Sequence, residues 1–125
     1  MTSVIFTDKA PLPIGPYSQC IKAGNFLYLS GQIPLDPATK KLVEGGIKEQ
    51  TAQVFKNIGH VLEAAGAKFE NIVKTTVLLS DMGDFGAMNE VYAQHFTTNP
   101  PARSAFAVKT LPMNAMVEIE CVAVL

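Results

Sequence analysis

The sequence predicts an α+β protein: a mixed sheet of about six strands with two helices packed on one of its faces. Three observations carry that expectation. Only two segments space their apolar residues by three and four. The remaining apolar segments are short, β-branched and alternating. Their order along the chain is β, β, β, α, β, α, β, β, and two helices are too few to cover both faces of such a sheet. The 125 residues suit one domain over 1–125.

Each element has its own signal. The stretch SVIF, Ser3 to Phe6, reads as a first strand. APLPIGPYS, Ala10 to Ser18, carries three prolines and a glycine and predicts an extended loop, because proline denies the backbone its donors. QCIKAGNFLYLSG, Gln19 to Gly31, predicts two strands joined by a tight turn at Ala23-Gly24-Asn25. QIPLDPATKKLVEGG, Gln32 to Gly46, is rich in turn residues and is expected to be exposed. From Gly46 to Ala65, Ile47, Thr51, Val54, Phe55, Ile58, Val61, Leu62 and Ala65 line one helix face, and Gly66 stops the helix. NIVKTTVLLS, Asn71 to Ser80, is strand-like. Asp84 is placed to cap a second helix, with Phe85, Met88, Val91, Tyr92 and Phe96 at helical spacing. That helix is expected to end before Pro100 and Pro101. RSAFAV and AMVEIECVAVL close the chain as strands around a loop holding Leu111 and Pro112.

Composition narrows the function classes. Hydrophobic residues make up 48% and charged residues 17%, against about a quarter charged in a typical soluble domain. The apolar surplus predicts a subunit interface, and the bare sheet face predicts a second copy of the chain as its cover in a closed cyclic assembly. Ten basic and eleven acidic residues give a net charge of -1, with no basic stripe to follow phosphates, so nucleic acid is not an expected partner. No apolar run reaches the roughly 18 residues of a membrane span, and the start of the chain lacks the apolar core of a secretion signal. A cytoplasmic protein without a membrane partner is expected. Cys20 and Cys121 have no C-x-x-C spacing and are expected to stay reduced, Cys121 within the core.

Chemistry centres on one residue. Arg103 is the only arginine among ten basic side chains, and it opens an apolar strand. In the last strand Val117, Ile119, Cys121, Ala123 and Leu125 point one way, and Met116, Glu118, Glu120 and Val122 the other. If Phe106 and Val108 join the core, Arg103 shares a sheet face with Glu118 and Glu120. Two readings then stand side by side. The pair is a structural ion bridge at an oligomer interface, or Arg103 clamps a small anion through its planar fork while Glu118 acts as a base. His60 and His95 read as helix-surface residues with no ligand partners at metal-binding spacing. No serine sits in G-x-S-x-G, and no glycine-rich phosphate loop is present. Tyr17, held behind Gly15-Pro16, reads as a packing residue or as a hydroxyl offered to a pocket.

IGPYSQ, LSGQIPLD, VKTTVLLSDMGDFGAMNEVYAQHF and PPARSAFAVKTLPMNAMVEIE resemble, in order, the motifs of the reactive-intermediate imine deaminase family, also called RidA, YjgF or L-PSP. The resemblance covers nearly the whole chain, and its most specific block joins P-A-R-S to the V-E-I-E strand. It implies a chorismate-mutase-like fold and a homotrimer with a central β-barrel, helices outside and clefts between subunits. It implies hydrolysis of 2-imino acids and their enamine precursors, such as 2-iminobutanoate and 2-iminopropanoate, to 2-oxo acids and ammonia. Such substrates come from pyridoxal-phosphate-dependent threonine and serine dehydratases, and no cofactor is needed. Carried onto this sequence, Arg103 binds the substrate carboxylate and Glu118 activates water. The backbone near Gly31 and Ala105 helps hold both, and Tyr17, Ser30, Phe85 and Asn89 line the cleft. Ala105 stands where many bacterial relatives carry cysteine, which removes any thiol chemistry from that position. Competing expectations are RNA cleavage or inhibition of translation, reported for some relatives, and a small-carboxylate-binding or chaperone-like role without turnover.

Overall fold

The computed structural model describes residues 1–125. Its elements are β1 (Thr2–Ile5), β2 (Cys20–Ala23), β3 (Phe26–Gln32), β4 (Leu35–Asp36), β5 (Lys41–Leu42), α1 (Ile47–Ala64), β6 (Ile72–Leu79), α2 (Phe85–Ala93), β7 (Ala102–Ala107) and β8 (Val117–Val124). Six strands form one sheet in the order β1-β2-β3-β8-β6-β7, and β4-β5 make a separate small hairpin. All pairs in the large sheet are antiparallel except β6-β7. Since β3 and β6 both run against β8, they run parallel to each other. The chain therefore crosses over twice, β3-α1-β6 and β6-α2-β7, and both helices pack on the same sheet face. No helix is long and apolar enough to cross a membrane.

Local chemistry fixes the boundaries. The β2-β3 turn leaves only Gly24 and Asn25 unpaired, and Gly24 supplies the positive φ (+60°) that a two-residue hairpin needs. Helix α1 starts where the Gly46 N–H donates to Glu49 Oε1 (2.8 Å). It ends with Gly66 at φ +77°, the Ala67 N–H donating to Leu62 O and the Gly66 N–H to Glu63 O, which is the Schellman arrangement. Asp84 occupies the N-cap position of α2 without a side-chain bond; Asp81 caps the preceding turn instead, accepting from the Gly83 N–H at 2.7 Å.

The core lies between the helices and one sheet face. Val117, Ile119, Cys121 and Ala123 point into it from β8, Val77 and Leu79 from β6, Leu27 and Leu29 from β3, and Val54, Phe55, Ile58, Val61 and Leu62 from α1. Cys20 and Cys121 are both buried and unpaired. Buried polar side chains tie the loops to this frame. Gln19 accepts from the Thr7 N–H and donates to the carbonyls of Thr7 and Pro11, folding the proline-rich loop back on itself. Gln50 of α1 accepts from the Met116 N–H (2.8 Å) at the start of β8.

Two expectations change. The Gln32 to Gly46 segment is not wholly exposed: Gln32, Pro34 and Leu35 are buried. The cause is Asn57 of α1, fully buried, whose Nδ2 donates to the carbonyls of Ile33 (3.2 Å) and Leu35 (3.0 Å). Strand β7 also faces the other way. Thr75, Val77 and Leu79 pair in register with Arg103, Ala105 and Ala107, and those three β6 residues are buried beneath the helices. Arg103 therefore lies on the helix side, while Phe106, 48% exposed, lies on the open side. Phe85, Tyr92 and Phe96 from α2 and its C-terminal end already fill the space above this edge of the sheet, leaving room beneath them for alanine and not for Phe106.

The open face carries an apolar band over four of its six strands, and Lys74, Glu118 and Glu120 lie beyond it on β6 and β8. Val4, Ile21, Tyr28 and Val122 form one continuous cross-strand row, with Val4 and Tyr28 exposed. Such a patch marks an interaction surface.

Asn57→Ala is expected to lower stability by about 2–3 kcal/mol, because two buried carbonyls lose their donor. Urea unfolding followed by far-UV circular dichroism measures it.

Candidate functional site

The sequence-predicted site residues fall into two groups on opposite faces of the sheet. In the β6-β8 register Thr76 faces Glu120 and Leu78 faces Glu118, so both glutamates lie on the open face. Arg103 does not join them there. Strand β7 is separated from β8 by β6, and the sheet itself stands between the guanidinium and the Glu118 carboxyl of one chain. The expectation that Arg103 and Glu118 share one sheet face of the same chain is therefore corrected.

The first group surrounds Arg103. Phe85, Asn89 and Tyr92 stand at i, i+4 and i+7 on α2 and form one stripe of that helix. Asn89 Oδ1 accepts from Arg103 Nη1 at 2.7 Å. Arg103 Cζ lies 4.7 Å from the centroid of the Tyr92 ring and 5.3 Å from that of Phe85, within reach of a cation-π attraction. The two ion pairs of the structure, Lys9-Glu63 and Lys48-Glu90, leave Arg103 without a carboxylate. Ala105, two residues further along β7, faces the same side. A charged, forked donor thus stands at an exposed edge strand, held by neutral groups and free to take an anion.

The second group surrounds Glu118. Leu29 pairs with Cys121 and Gln32 with Ile119, so Ser30 and Gly31 together face Glu120 alone. This is a β-bulge, which bends the strand and redirects its side chains. The Ser30 N–H donates to Gln19 O (2.9 Å), and its hydroxyl donates to Ser18 O, pinning the bulge to the loop before β2. Gly31 has a packing reason to be glycine: a Cβ there would strike the Glu118 carboxylate. Ile14, Tyr17, Ser30, Gly31, Glu118 and Glu120 line an open hollow of about 390 Å³, with Ile33 and Pro112 also on its wall. Burial holds the Glu118 carboxyl above the ordinary carboxylate range, and the neighbouring Glu120 charge adds to the rise. An adjoining hollow of about 380 Å³ contains Lys74, Thr76 and Glu120 but neither Glu118 nor Arg103.

Other candidates resolve differently. His95 is half-buried and packs on one side against the core aromatics. Its ring stacks on Phe55 at 4.3 Å and touches Phe69 at 5.0 Å, and burial lowers its pKa. Tyr92, which sequence spacing places only on the packing stripe of α2, also belongs to the Arg103 group. Its i+7 relation to Phe85 and i+3 relation to Asn89 is the signal that links it there.

Residues 7–125 match the model of the family described as Endoribonuclease L-PSP. The chain belongs to that family. Among similar proteins is the 2-iminobutanoate/2-iminopropanoate deaminase of Mus musculus, 52% identical over 97% of this chain and 90% of that protein. The crystal structure of RidA from an Antarctic Psychrobacter superposes with a TM-score of 0.95 at 45% identity, covering 98% of this chain and 99% of that one. The structure of E. coli TdcF with bound serine superposes with a TM-score of 0.94 at 36% identity, covering 98% of each chain. These family matches agree with the resemblance read from the sequence, and the α+β layer with two helices on one face is the fold the family members share.

Two outcomes test the surroundings of Glu118. Its carboxyl binds its proton more tightly in the native chain than in the unfolded one. Ionisation therefore costs stability as pH rises through the native pKa, and the cost is absent below the unfolded value. Glu118→Gln is expected to melt higher than the parent near neutral pH, the difference vanishing below about pH 4. Gly31→Ala is expected to push the carboxyl toward solvent and return its pKa toward the ordinary range, read by carboxyl-carbon NMR titration.

Proposed function

We propose that this chain is a hydrolytic deaminase of 2-imino acids and their enamine tautomers, yielding 2-oxo acids and ammonia. The observation that carries this reading is a pair of complementary half-sites: an exposed arginine with no carboxylate partner, and a half-buried glutamate with no cationic partner. The mouse relative's name supplies the substrate class, 2-iminobutanoate and 2-iminopropanoate, and the serine bound to TdcF is a ligand with the same α-carboxylate. The adjoining reading is a closed trimer whose apolar open faces form a central barrel. In it the β7 edge of one protomer meets the Glu118 hollow of the next, because only a second chain can bring the two half-sites to one ligand. A cytoplasmic setting and substrate supply by pyridoxal-phosphate-dependent dehydratases belong to the same proposal.

The chemistry asks little of the protein. The protonated imine carbon is already electrophilic, so a held water, a base and a charge clamp suffice. Arg103 takes the carboxylate in two parallel hydrogen bonds, and Asn89 keeps the guanidinium in place. Glu118 accepts a proton as the water oxygen bonds to the imine carbon, giving a carbinolamine. The same proton passes to the nitrogen, the C–N bond breaks to release ammonia, and the remaining hydroxyl gives its proton through Glu118 to that ammonia as the carbonyl forms. Water and the iminium are consumed; the 2-oxo acid and ammonium leave. The raised pKa of Glu118 brings the base closer to neutrality and strengthens it. An RNA-cleaving role, which the family description names, would need phosphate contacts. A net charge of -1 and an open face that is mainly apolar supply few.

Freshly generated 2-iminobutanoate is expected to give ammonia and 2-oxobutanoate faster with the protein than without it. Arg103→Ala should lose about a hundredfold in kcat/KM, since a truncated charge pair costs about 2–5 kcal/mol. Glu118→Gln should bind 2-oxobutanoate and turn over about a hundredfold or more slowly. Refolding the two inactive variants together should restore about a quarter of the parental activity, because a quarter of randomly formed interfaces pair an intact arginine with an intact glutamate. No recovery on mixing would sink the shared site.

A further inference from the structure

Tyr92 belongs to the core by burial, being 7% exposed, and to an aromatic cluster by contact, with Phe55 at 5.6 Å and Phe96 at 4.7 Å. Packing alone does not account for its polar end. The Tyr92 hydroxyl lies 2.7 Å from Thr75 Oγ1 in a buried hydrogen bond. Thr75 is itself 1% exposed and is the register partner of Arg103 across the parallel β6-β7 pair. The face of the same ring lies under the guanidinium at 4.7 Å. One side chain therefore links the interior of the sheet to the charged group at its edge. Its hydroxyl is fixed to the strand beside Arg103 while its ring supports the charge.

We propose that Tyr92, anchored by Thr75, is a positioning residue that holds the Arg103 guanidinium against α2 and so presents its remaining N–H donors to the ligand's carboxylate. This role rests on Arg103 being the group that binds the carboxylate in the proposed deaminase. An arginine on an exposed edge strand has a long, mobile side chain, and binding must otherwise freeze it, which weakens affinity. Asn89 Oδ1 uses one N–H of the five, which fixes rotation of the planar group. The Tyr92 and Phe85 rings, 4.7 Å and 5.3 Å from its Cζ, support the charge. No carboxylate of this chain pairs with it to compete for the fork. Thr75 and Tyr92 are buried while Arg103 is exposed, so on this proposal their influence passes through the guanidinium.

The test is a double-mutant cycle on carboxylate affinity, read as the dissociation constant of 2-oxobutanoate by NMR titration, which reaches millimolar values. Tyr92→Leu is expected to weaken binding about tenfold, the size of a partly desolvated cation-π contact. Tyr92→Phe, which keeps the ring and loses the anchor, should fall between it and the parent. In steady-state turnover KM should rise more than kcat falls. The signature that separates positioning from mere packing lies in the Arg103→Ala background, where adding either Tyr92 change should leave the remaining affinity for 2-oxobutanoate as it was. An equal loss in both backgrounds, or no loss in either, overturns the proposal. If Tyr92→Leu fails to fold, Tyr92→Phe and Thr75→Val run the same cycle. A parent protein that binds 2-oxobutanoate with this coupling but hydrolyses no imine would defeat the deaminase reading and leave the brace standing; one that binds no carboxylate at all defeats both.

Discussion

Two helices can roof only one face of a six-stranded sheet, and strand β8 is divided between the roofed face and the bare one. Its alternate residues Val117, Ile119, Cys121 and Ala123 are committed to the core beneath α1. Glu118 and Glu120 are thereby committed to the bare face. A shift of one residue in register would send the glutamates into the core and the apolar set outward, so the placement of the acid is as secure as the fold. The apolar row on the bare face has the same origin. A surface carrying exposed Val4 and Tyr28 together with a half-buried glutamate is suited to cover by another chain.

The same geometry explains why the two charged groups are held in unlike ways. Arg103 stands at an edge, where solvent and aromatic faces share the work of stabilising its charge, and it needs no counter-ion to remain ionised. Glu118 stands in a hollow behind a β-bulge, where burial and Glu120 both disfavour its charge. The first group is ready to receive an anion, and the second is ready to receive a proton. The second arrangement costs the single chain stability. Groups held at a cost to stability gather where a protein has chemistry to do.

Much of this is legible in the sequence. The spacing from Ile47 to Leu62 marks α1 to within a residue or two, Gly24 and Gly66 mark a turn and a helix stop through their positive φ, and alternation assigns both faces of β8. Strand β7 reads the wrong way round from sequence because side-chain size is a poor guide to burial at a sheet edge. Phe106 is the bulkiest apolar residue of its strand, yet the room above that edge is occupied by aromatic side chains from α2 and its C-terminal end, a fact that lies some ten or more positions away in the chain. The bulge at Ser30 and Gly31 is invisible for a similar reason: it exists only as a mismatch between β3 and β8, elements separated by most of the sequence. Tyr92 fits the apolar stripe so well that its bond to Thr75 has no separate signal. His95 shows the limit again, since only folding brings Phe55 and Phe69 against it.

On the proposed arrangement the two half-sites also adjust each other. When a neighbouring protomer closes over the Glu118 hollow, further loss of water raises the carboxyl's proton affinity, while an approaching guanidinium lowers it. These effects oppose, and the ligand decides between them. An empty site leaves the Arg103 charge free to favour ionised Glu118. A bound carboxylate neutralises that charge and excludes water, so the burial effect dominates and the glutamate becomes a stronger base at the moment a substrate is present. The ligand's own anionic group would then prepare the residue that acts on its far end. This coupling needs no movement of the backbone, only an arginine that is already held in place before the ligand arrives.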